Sequence, residues 1–279
     1  MAASLDQMIS AVRRKVAERR ASADWRELER QAETHVPRGF RRALDSRSRG
    51  GAAVIAELKK ASPSRGVIRE NFPPEVLAKE LEGAGAAALS VLTNEEFFQG
   101  SLKNLTLASA STKLPCLRKD FIVDESQIVE ARAHGADAIL LIVAALSQAE
   151  LTTLARRAAD CGLDALSEVH DEQELQRAVD AGCDLIGVNS RDLRTFEVSL
   201  KTAFRLAELL PENALGVAES GIQNGADIAR LRTAGYRAFL IGETLMKAPS
   251  PGQALRELLA AADVRSATQA KTHDEPWFI

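Results

Sequence analysis

The chain has 279 residues, of which 46% are hydrophobic and 27% are charged, and its formal net charge is −3. These values are typical of a globular protein that is large enough to bury a sizeable core. The basic residues are interspersed with acidic ones, which argues against a nucleic-acid-binding protein, since such proteins carry a basic stripe.

The cysteines and histidines exclude two further classes of protein. Cys116, Cys161 and Cys183 are widely separated and lack a CxxC spacing, which favours reduced thiols in a cytoplasmic protein over a disulfide framework. The four histidines form no pair at ligand spacing, so we expect no metal site. The sequence shows neither a secretory signal nor an apolar run near the ~20 residues of a membrane helix. We therefore expect a cytoplasmic protein with no membrane and no nucleic-acid partner.

Residues 1–50 are predicted to form an N-terminal helical extension. The segments 4–20 (SLDQMISAVRRKVAERR) and 24–32 (DWRELERQA) have helical patterns, and Pro37–Gly39 breaks the second of them. Neither segment joins the alternation of strands and helices that follows. We expect this extension to pack against the rest of the molecule.

In residues 51–263, short apolar runs alternate with amphipathic helical patterns. Most of the runs are continuously apolar, which is typical of parallel strands that are buried on both faces. The eight predicted strands are VIAEL (54–58), AALSVL (87–92), PCLRK (115–119), AILLIVA (138–144), DALSEV (164–169), LIGVNS (185–190), ALGVAES (214–220) and AFLIGE (238–243).

The predicted helices between these strands have recognisable ends. One is expected to run from an Asp124 N-cap to Gly135, and the next from a Ser147 N-cap to Gly162. Eight strands that are each followed by a helix indicate an α/β fold, the (β/α)8 or TIM barrel. The alternative is an open doubly wound sheet, but no GxGxxG follows the first strand. The segment 264–279 is mostly polar and aperiodic, and we expect a poorly ordered tail.

Charged residues occur where the predicted strands end, which is where the active sites of such barrels lie. Burying an unpaired charge is costly, so a group of them at one end of a barrel needs either mutual ion pairing or a catalytic role. The ion-pair ring is the structural alternative, and we favour catalysis because the charges fall on several strand ends. The charged residues are Glu57, Lys59, Lys119, Glu168, Arg191, Glu219 and Glu243, and the polar Asn189 lies at the same end.

The two lysines are the candidate proton donors. Mutual repulsion and partial burial are expected to lower the pKa values of Lys59 and Lys119 toward ~7–8, so that either could donate a proton near neutral pH. The pKa values of Glu57 and Glu168 are expected to rise unless a lysine pairs with them. Such a group could perform acid and base chemistry in one pocket.

Small residues at the ends of the last two strands suggest a phosphate site. Ser220, Gly221 and Gly242 lie where backbone N–H groups of (β/α)8 barrels commonly bind phosphate. Ser62 lies in a Ser-Pro-Ser-Arg-Gly turn that follows the first strand, at the same end. A single glycine there is usually only a turn residue, but the joint placement on both strands favours an anion site.

Several segments resemble, in order and spacing, the motifs of the indole-3-glycerol phosphate synthase family. The resemblance covers about residues 45–260, and the N-terminal helices also resemble that family's extension. The E-x-K-x-x-S-P-S, K-D-F and N-x-R-x-L motifs are highly specific in combination. The segments are IAELKKASPSRG, SVLTNEEFFQGS, LRKDFIVDESQI, SEVHDEQEL, IGVNSRDL, VAESGI and LIGETLM.

The resemblance implies a reaction. The family's substrate is 1-(2-carboxyphenylamino)-1-deoxyribulose 5-phosphate, a phosphosugar joined to anthranilate. The reaction closes the indole ring with loss of CO2 and water in tryptophan biosynthesis, and it uses no cofactor and no metal. The resemblance implies a small-molecule substrate as the partner, and we expect a monomer or a weak homo-oligomer.

Roles for individual residues also follow from the resemblance. Lys119 matches the general acid that protonates the substrate carbonyl, and Glu168 matches the base. Lys59 matches the lysine that holds the anthranilate carboxylate and is a second candidate acid. Glu57 and Asn189 match positions that orient the lysines and the sugar hydroxyls.

The remaining matched positions are predicted to bind substrate. Glu219 matches a ligand-contacting glutamate, and Arg191 borders the carboxylate pocket. The phosphate is expected on Ser62 and on backbone near Ser220, Gly221, Gly242 and Glu243. The candidate walls for the aromatic ring are Phe98, Phe121, Leu140, Leu193 and Phe196, although each of these could instead belong to the core.

Three other functions remain open at this stage. A phosphoribosylanthranilate isomerase would pair a cysteine on the first strand with an aspartate on the sixth, and this sequence has Glu57, Lys59 and Asn189 there. A Schiff-base aldolase would use Lys119 or Lys59 as its nucleophile, and borohydride trapping would reveal it. A non-catalytic phosphate-sensing barrel would have no use for two crowded lysines.

Overall fold

The computed structural model of the chain describes residues 4–192 and 195–272, and for residues 264–272 it describes the backbone alone. In these residues eight parallel strands, β1 to β8, form one closed barrel, and β1 pairs with both β2 and β8. The predicted (β/α)8 barrel is therefore confirmed. The strands are β1 (Ala53–Leu58), β2 (Ala88–Leu92), β3 (Cys116–Lys119), β4 (Ala138–Ile142), β5 (Asp164–Val169), β6 (Leu185–Asn189), β7 (Leu215–Glu219) and β8 (Ala238–Ile241).

Helices surround the barrel, and a two-stranded hairpin (Ala61–Ser62 with Gly66–Val67) follows β1. Most strand residues are buried, as the apolar runs predicted. The helices are α1 (Leu5–Ser22), α2 (Trp25–Thr34), α3 (Phe40–Ser48), α4 (Pro74–Gly83), α5 (Glu95–Phe98), α6 (Leu102–Ala110), α7 (Ser126–Ala133), α8 (Gln148–Asp160), α9 (Glu172–Asp180), α10 (Lys201–Ala207), α11 (Gly225–Thr233), α12 (Glu243–Lys247) and α13 (Pro251–Thr272), with a 3-10 turn at Val143–Ala145.

The predicted helix ends agree with the structure except at one N-cap. Ser147 caps α8 through a capping box with Glu150, and Gly135 and Gly162 follow α7 and α8 with positive φ, which ends each helix. Asp124, however, is not the N-cap of α7. Its carboxylate accepts the Ser126 N–H at 2.8 Å, which forms a turn one residue earlier, and the helix begins only at Ser126.

Four of the eight predicted strands end at the predicted residue, and the fourth, sixth, seventh and eighth are one or two residues too long at their C-terminal ends. The sixth and seventh end at Asn189 and Glu219 rather than at Ser190 and Ser220. Ser220 has φ 63°, a left-handed conformation that stops a strand.

At the C-terminal end of the described residues, the α13 backbone continues to Thr272, into the segment that we predicted to be a poorly ordered tail. The division of the chain at residues 50 and 263 stays a prediction.

The N-terminal extension lies along the barrel from one end to the other. Helix α1 lies over the loops that follow β2, β3 and β4, where its basic residues form ion pairs, and helix α2 packs on α7. Helix α3, which was not predicted, contributes the fully buried Phe40 and Leu44 beside the start of β1. The α1 ion pairs are Arg13–Glu150, Lys15–Glu96, Arg19–Glu130 and Arg20–Asp124.

A buried ion pair attaches this extension to the N-terminal end of the barrel. Asp137 precedes β4 and is fully buried. Its carboxylate accepts hydrogen bonds from the Arg38 guanidinium at 2.6 Å, from the Arg38 backbone N–H at 2.6 Å and from the Cys116 N–H at 2.7 Å, and it contacts His35. Burial alone would raise the pKa of Asp137, but these donors hold it below its ordinary value.

We predict that Arg38→Ala will lower the free energy of unfolding by about 3–5 kcal/mol, because it leaves the buried Asp137 carboxylate without its guanidinium. Urea unfolding followed by circular dichroism measures this change. Arg30→Ala is the control, since Arg30 is exposed and pairs with Glu27 one helical turn away, and it should produce a much smaller change. Equal losses in the two variants would show that Arg38 does not anchor the extension.

Candidate active site

A cavity of about 550 Å³ opens at the C-terminal ends of the strands. This is the end where the predicted charged residues were expected to meet, and Leu5 and Met8 of α1 form part of its wall. The size is in the range of pockets that enclose a small metabolite. All the predicted site residues that the structure describes line this one cavity: Glu57, Lys59, Ser62, Phe98, Lys119, Phe121, Leu140, Glu168, Asn189, Arg191, Glu219, Ser220, Gly221, Gly242 and Glu243.

One predicted residue has no described position. Leu193 lies outside the described residues, and nothing is stated of its structure. The cavity also includes Phe196, which the sequence suggested as a wall, and Arg65 and Lys247, which the sequence did not single out.

Lys119 is the centre of the buried charges. Its Nζ lies 2.9 Å from Glu168 Oε2 and 2.6 Å from Glu219 Oε2. The two carboxylates come from β5 and β7, so the ammonium of β3 crosses the barrel to reach them. All three side chains are 12% exposed or less. Because these side chains are buried, their charges interact strongly, and a proton that moves from one to another changes the electrostatic energy of all three.

The predicted lowering of the lysine pKa values is wrong for Lys119. Burial alone would lower the pKa of Lys119, but the carboxylates of Glu168, Glu219 and Glu57 raise it above its ordinary value. Burial likewise would raise the pKa of Glu168, and Lys119 and His170 hold it below the ordinary range. Burial raises the pKa of Glu219, because Lys119 only partly offsets it and the neighbouring Glu168 adds repulsion. The surplus of carboxylates therefore decides where the protons reside.

Lys59 forms a separate pair with Glu57. Its Nζ donates to Glu57 Oε1 at 2.6 Å, and the exposed fractions of the two side chains are 16% and 6%. The two lysines therefore have different hydrogen-bonded carboxylate partners. Asn189 accepts the Arg191 backbone N–H at 3.0 Å through its side-chain oxygen and contacts Glu168.

Aromatic and aliphatic side chains form one wall of the cavity. Phe98 and Phe121 pack with ring centroids 6.4 Å apart and ring planes inclined by 45°. Leu140 faces the same space from β4. This wall is complementary to a flat aromatic ring of a ligand.

The opposite part of the cavity contains small residues and cations. Ser220 and Gly221 both have positive φ, at 63° and 82°, which exposes the backbone of this turn. The Glu243 carboxylate lies among three cations, with Lys247 Nζ at 2.5 Å, Arg65 Nε at 3.4 Å and Arg191 at 3.7 Å. These three cations would attract an anionic group of a ligand to this part of the cavity.

No metal-binding arrangement accompanies these groups. Among the described residues, no three His, Cys, Asp or Glu side chains are placed to hold a metal ion. The expectation that the reaction needs neither a metal nor a cofactor stays a prediction. The described residues also include no helix that is long and apolar enough to cross a membrane.

Comparison with known sequences decides the family. The sequence model described as "Indole-3-glycerol phosphate synthase" matches residues 5–258 of the chain. The indole-3-glycerol phosphate synthase of Koribacter versatilis (strain Ellin345) is 59% identical over 259 residues, which are 93% of this chain and 100% of that protein. The chain belongs to the indole-3-glycerol phosphate synthase family. It is an enzyme of tryptophan biosynthesis, a lyase that closes the indole ring with loss of CO2 and water.

Solved structures agree on the fold alone. 3-Hexulose-6-phosphate synthase of Salmonella typhimurium is 12% identical with a TM-score of 0.61, and 77% of this chain covers 99% of that one. Thiamine phosphate pyrophosphorylase of Pyrococcus furiosus is 18% identical with a TM-score of 0.58, and the coverages are 78% and 98%. At these identities the likeness is one of architecture.

The sequence analysis missed the steric requirement at two glycines, Gly187, which it did not name as a site residue, and Gly242, which it assigned only to the phosphate. Gly187 lies on β6 in register with Glu168, and a Cβ there would overlap the Oε1 atom of Glu219. Gly242 likewise has no room for a Cβ, because the Glu57 carboxylate lies against it. The glycine of the LIGVN segment was visible in the sequence, but its neighbour Glu219 is 32 positions away, so only the fold reveals the requirement.

We predict that Gly187→Ala will lower kcat by about 10²-fold, because the new methyl displaces the Glu219 carboxylate and loosens its pair with Lys119. Steady-state turnover measures this change. Gly216→Ala on β7 is the matched control, since its Cβ meets mainly the movable side chain of Leu210 and the ring of Tyr236, away from the cavity. The control should keep most of the activity.

A double variant tests the cause of that loss. Glu219→Asp shortens the carboxylate by one methylene, so adding Gly187→Ala in that background should reduce kcat much less than it does in the wild type. Strictly multiplicative losses in the double variant would contradict the displacement of Glu219.

Proposed function

We propose that Lys119 is the general acid of ring closure and that Glu168 is the base. Ring closure attacks a ketone whose oxygen must gain a proton, and the Lys119 ammonium projects into the cavity from β3. Its position between two carboxylates supports this role, because the pairs fix its direction. The raised pKa of Glu219 supports a second role, in which this carboxyl holds a proton 2.6 Å from Nζ and returns it after the transfer.

Lys59 is assigned to the anthranilate carboxylate and to the acid step of dehydration. Its pairing with Glu57 at 2.6 Å supports the assignment, since Glu57 orients the ammonium toward the same cavity that Lys119 enters. Arg191 borders this carboxylate pocket, and Asn189 orients the sugar hydroxyls. The aromatic ring lies against Phe98, Phe121 and Leu140, where the water-poor wall favours loss of the carboxylate. A part for Leu193 in this wall is proposed from the sequence alone.

The phosphate is assigned to the turn Ser220–Gly221, the backbone at Gly242–Glu243 and the hydroxyl of Ser62. The positive φ of Ser220 and Gly221 and the nearby Arg65 and Lys247 support this assignment. Charge-assisted hydrogen bonds contribute about 1.5–3 kcal/mol each, so a few of them suffice to anchor a phosphate ester.

The cellular setting is also a proposal. We infer that the enzyme works in the cytoplasm, as a monomer or a weak homo-oligomer, on a small molecule and without a membrane or nucleic-acid partner. The free thiols of Cys116, Cys161 and Cys183 support a reducing compartment. Sedimentation velocity over a range of concentrations tests the oligomeric state.

The convergence of Lys59, Lys119 and Glu168 on one cavity is the observation that carries the proposal. The direct test incubates the protein with 1-(2-carboxyphenylamino)-1-deoxyribulose 5-phosphate and follows the fluorescence of the indole product. We expect turnover in buffer without added metal or cofactor. Borohydride trapping during turnover should leave no lysine adduct, since the amines transfer protons only.

Lys119→Met should lower kcat by roughly 10²–10⁴-fold while the protein folds normally, because the substitution keeps the shape but removes the proton. Lys113→Met is the control, since Lys113 is exposed and lies outside the cavity. A Lys119→Met enzyme with more than half the wild-type kcat would reject the assignment of the acid.

Ser220→Asp should raise KM at least about tenfold through repulsion of the phosphate, with a smaller effect on kcat. Asn213→Asp adds the same charge before β7, at the opposite end of the barrel, and should leave KM unchanged. If both variants bind substrate as the wild type does, the phosphate lies elsewhere in the cavity.

A further inference from the structure

His170 lies beside the catalytic cluster of Lys119, Glu168 and Glu219, and none of the roles proposed above explains its position. It follows β5 by one residue, and its ring lies between two carboxylates. Its Nε2 lies 3.6 Å from Glu168 Oε1, and its Nδ1 lies 2.9 Å from Glu174 Oε2. Its side chain is 14% exposed.

The contacts of the two ring nitrogens favour a positively charged ring. Nδ1 needs a proton to donate to the Glu174 carboxylate. Nε2 is buried, makes no hydrogen bond to the described residues and lies 3.6 Å from Glu168 Oε1, so without a proton its lone pair would face a carboxylate. The doubly protonated imidazolium donates to Glu174 and places a positive charge beside Glu168.

Glu174 is itself rigidly placed. It lies in the first turn of α9, whose N-cap residue Asp171 accepts the Glu174 backbone N–H at 2.8 Å. The Glu174 carboxylate also accepts the His170 backbone N–H at 2.8 Å. The helix therefore fixes Glu174, and Glu174 fixes the ring.

The charges of the cluster supply an independent argument. Lys119 lies between two carboxylates, Glu168 and Glu219, and Glu174 brings a third carboxylate close to them. A cation at His170 lies between Glu168 and Glu174 and reduces the negative charge of this buried group. Burial alone would lower the pKa of His170, but Glu174, Glu168 and Glu219 raise it above its ordinary value.

We propose that His170 is a positioning residue that carries a positive charge and holds Glu168 ionised and turned toward Lys119. This inference rests on the proposed role of Glu168 as the base. The groups that face the ring are Glu168 from β5, Glu174 from α9 and Glu219 from β7, with Lys119 beyond Glu168. Glu174 favours the positive charge on the His170 ring, and this charge in turn acts on Glu168.

The consequence is a defined change in the pH dependence of catalysis. The base must be ionised, so its protonation limits the rate at low pH. A positive neighbour lowers the pKa of Glu168, and its removal raises that pKa. His170→Asn should therefore move the acid limb of kcat/KM to higher pH by about one unit, so that the loss of rate is about tenfold on that limb and smaller at high pH.

Two further variants separate this role from a structural one. Glu174→Gln keeps an acceptor for the His170 backbone N–H but removes the charge that favours the imidazolium, and it should shift the acid limb in the same direction by a smaller amount. His134→Asn is the matched control, since His134 directly follows α7, contacts Thr106 at 2.9 Å and lies outside the cavity. Its pH profile should overlie that of the wild type.

Nitrogen-15 NMR of the histidine rings measures the charge directly. The chain has four histidines, so the spectrum of His170→Asn assigns the His170 signal by its loss. We expect both ring nitrogens of His170 to stay protonated at pH 7 in the wild type. As the pH is raised, the ring of Glu174→Gln should become neutral at a lower pH than the ring of the wild type. A neutral His170 at pH 7, or an unshifted acid limb in His170→Asn, would overturn the proposal.

Glu168→Gln distinguishes this outcome from a failure of the proposed function. If its residual activity still shows the wild-type acid limb, that limb does not belong to Glu168, and the assignment of the base fails. The NMR measurement of the His170 charge does not depend on which residue is the base.

Discussion

The site depends on one ionic layer across the inside of the barrel. Glu57, Lys119, Glu168 and Glu219 come from β1, β3, β5 and β7, the four odd-numbered strands. In a (β/α)8 barrel, side chains from alternate strands fill the interior in layers of four. Here the layer at the C-terminal end of the strands consists of one ammonium and three carboxylates instead of branched aliphatic side chains. The closed sheet therefore determines which charges meet.

The neighbouring even-numbered strands make room for this layer. Gly187 on β6 and Gly242 after β8 lie against Glu219 and Glu57, with no space for a Cβ at either position. The carboxylates can then turn inward to the lysines rather than compete for space with adjacent side chains. The glycines thus serve the geometry of the charges, and Gly242 has this requirement in addition to its proposed place near the phosphate.

The sequence predicted the architecture because the signals for it are local. Continuous apolar runs such as AILLI, the Ser147 capping box and the glycines after α7 and α8 each act over a few residues. The ends of strands were less predictable, because Ser220 leaves the strand through its backbone conformation rather than through a change of polarity. Helix α3 was missed because its buried face consists of only Phe40 and Leu44.

The chemistry of the site was only half predictable for a related reason. The positions of the strand ends predicted which charged side chains lie close together. The pKa of Lys119, however, depends on how many carboxylates lie within hydrogen-bonding distance. Two of them do, so its pKa rises where the sequence suggested a fall. His170 escaped notice because its carboxylate partners come from two different elements, and neither spacing alone indicates a contact.

The ionic layer also has a cost in stability that the rest of the barrel offsets. A buried charge cluster stabilises a protein less than well-packed aliphatic side chains of similar volume, so this layer lowers the stability that the fold could reach. The fully buried strand residues below it and the Arg38–Asp137 pair at the opposite end supply the rigidity. Leu5 and Met8 of helix α1 add apolar surface to the wall of the cavity. A rigid barrel lets one end hold this set of buried charges, to which we assign the proton transfers of the proposed mechanism.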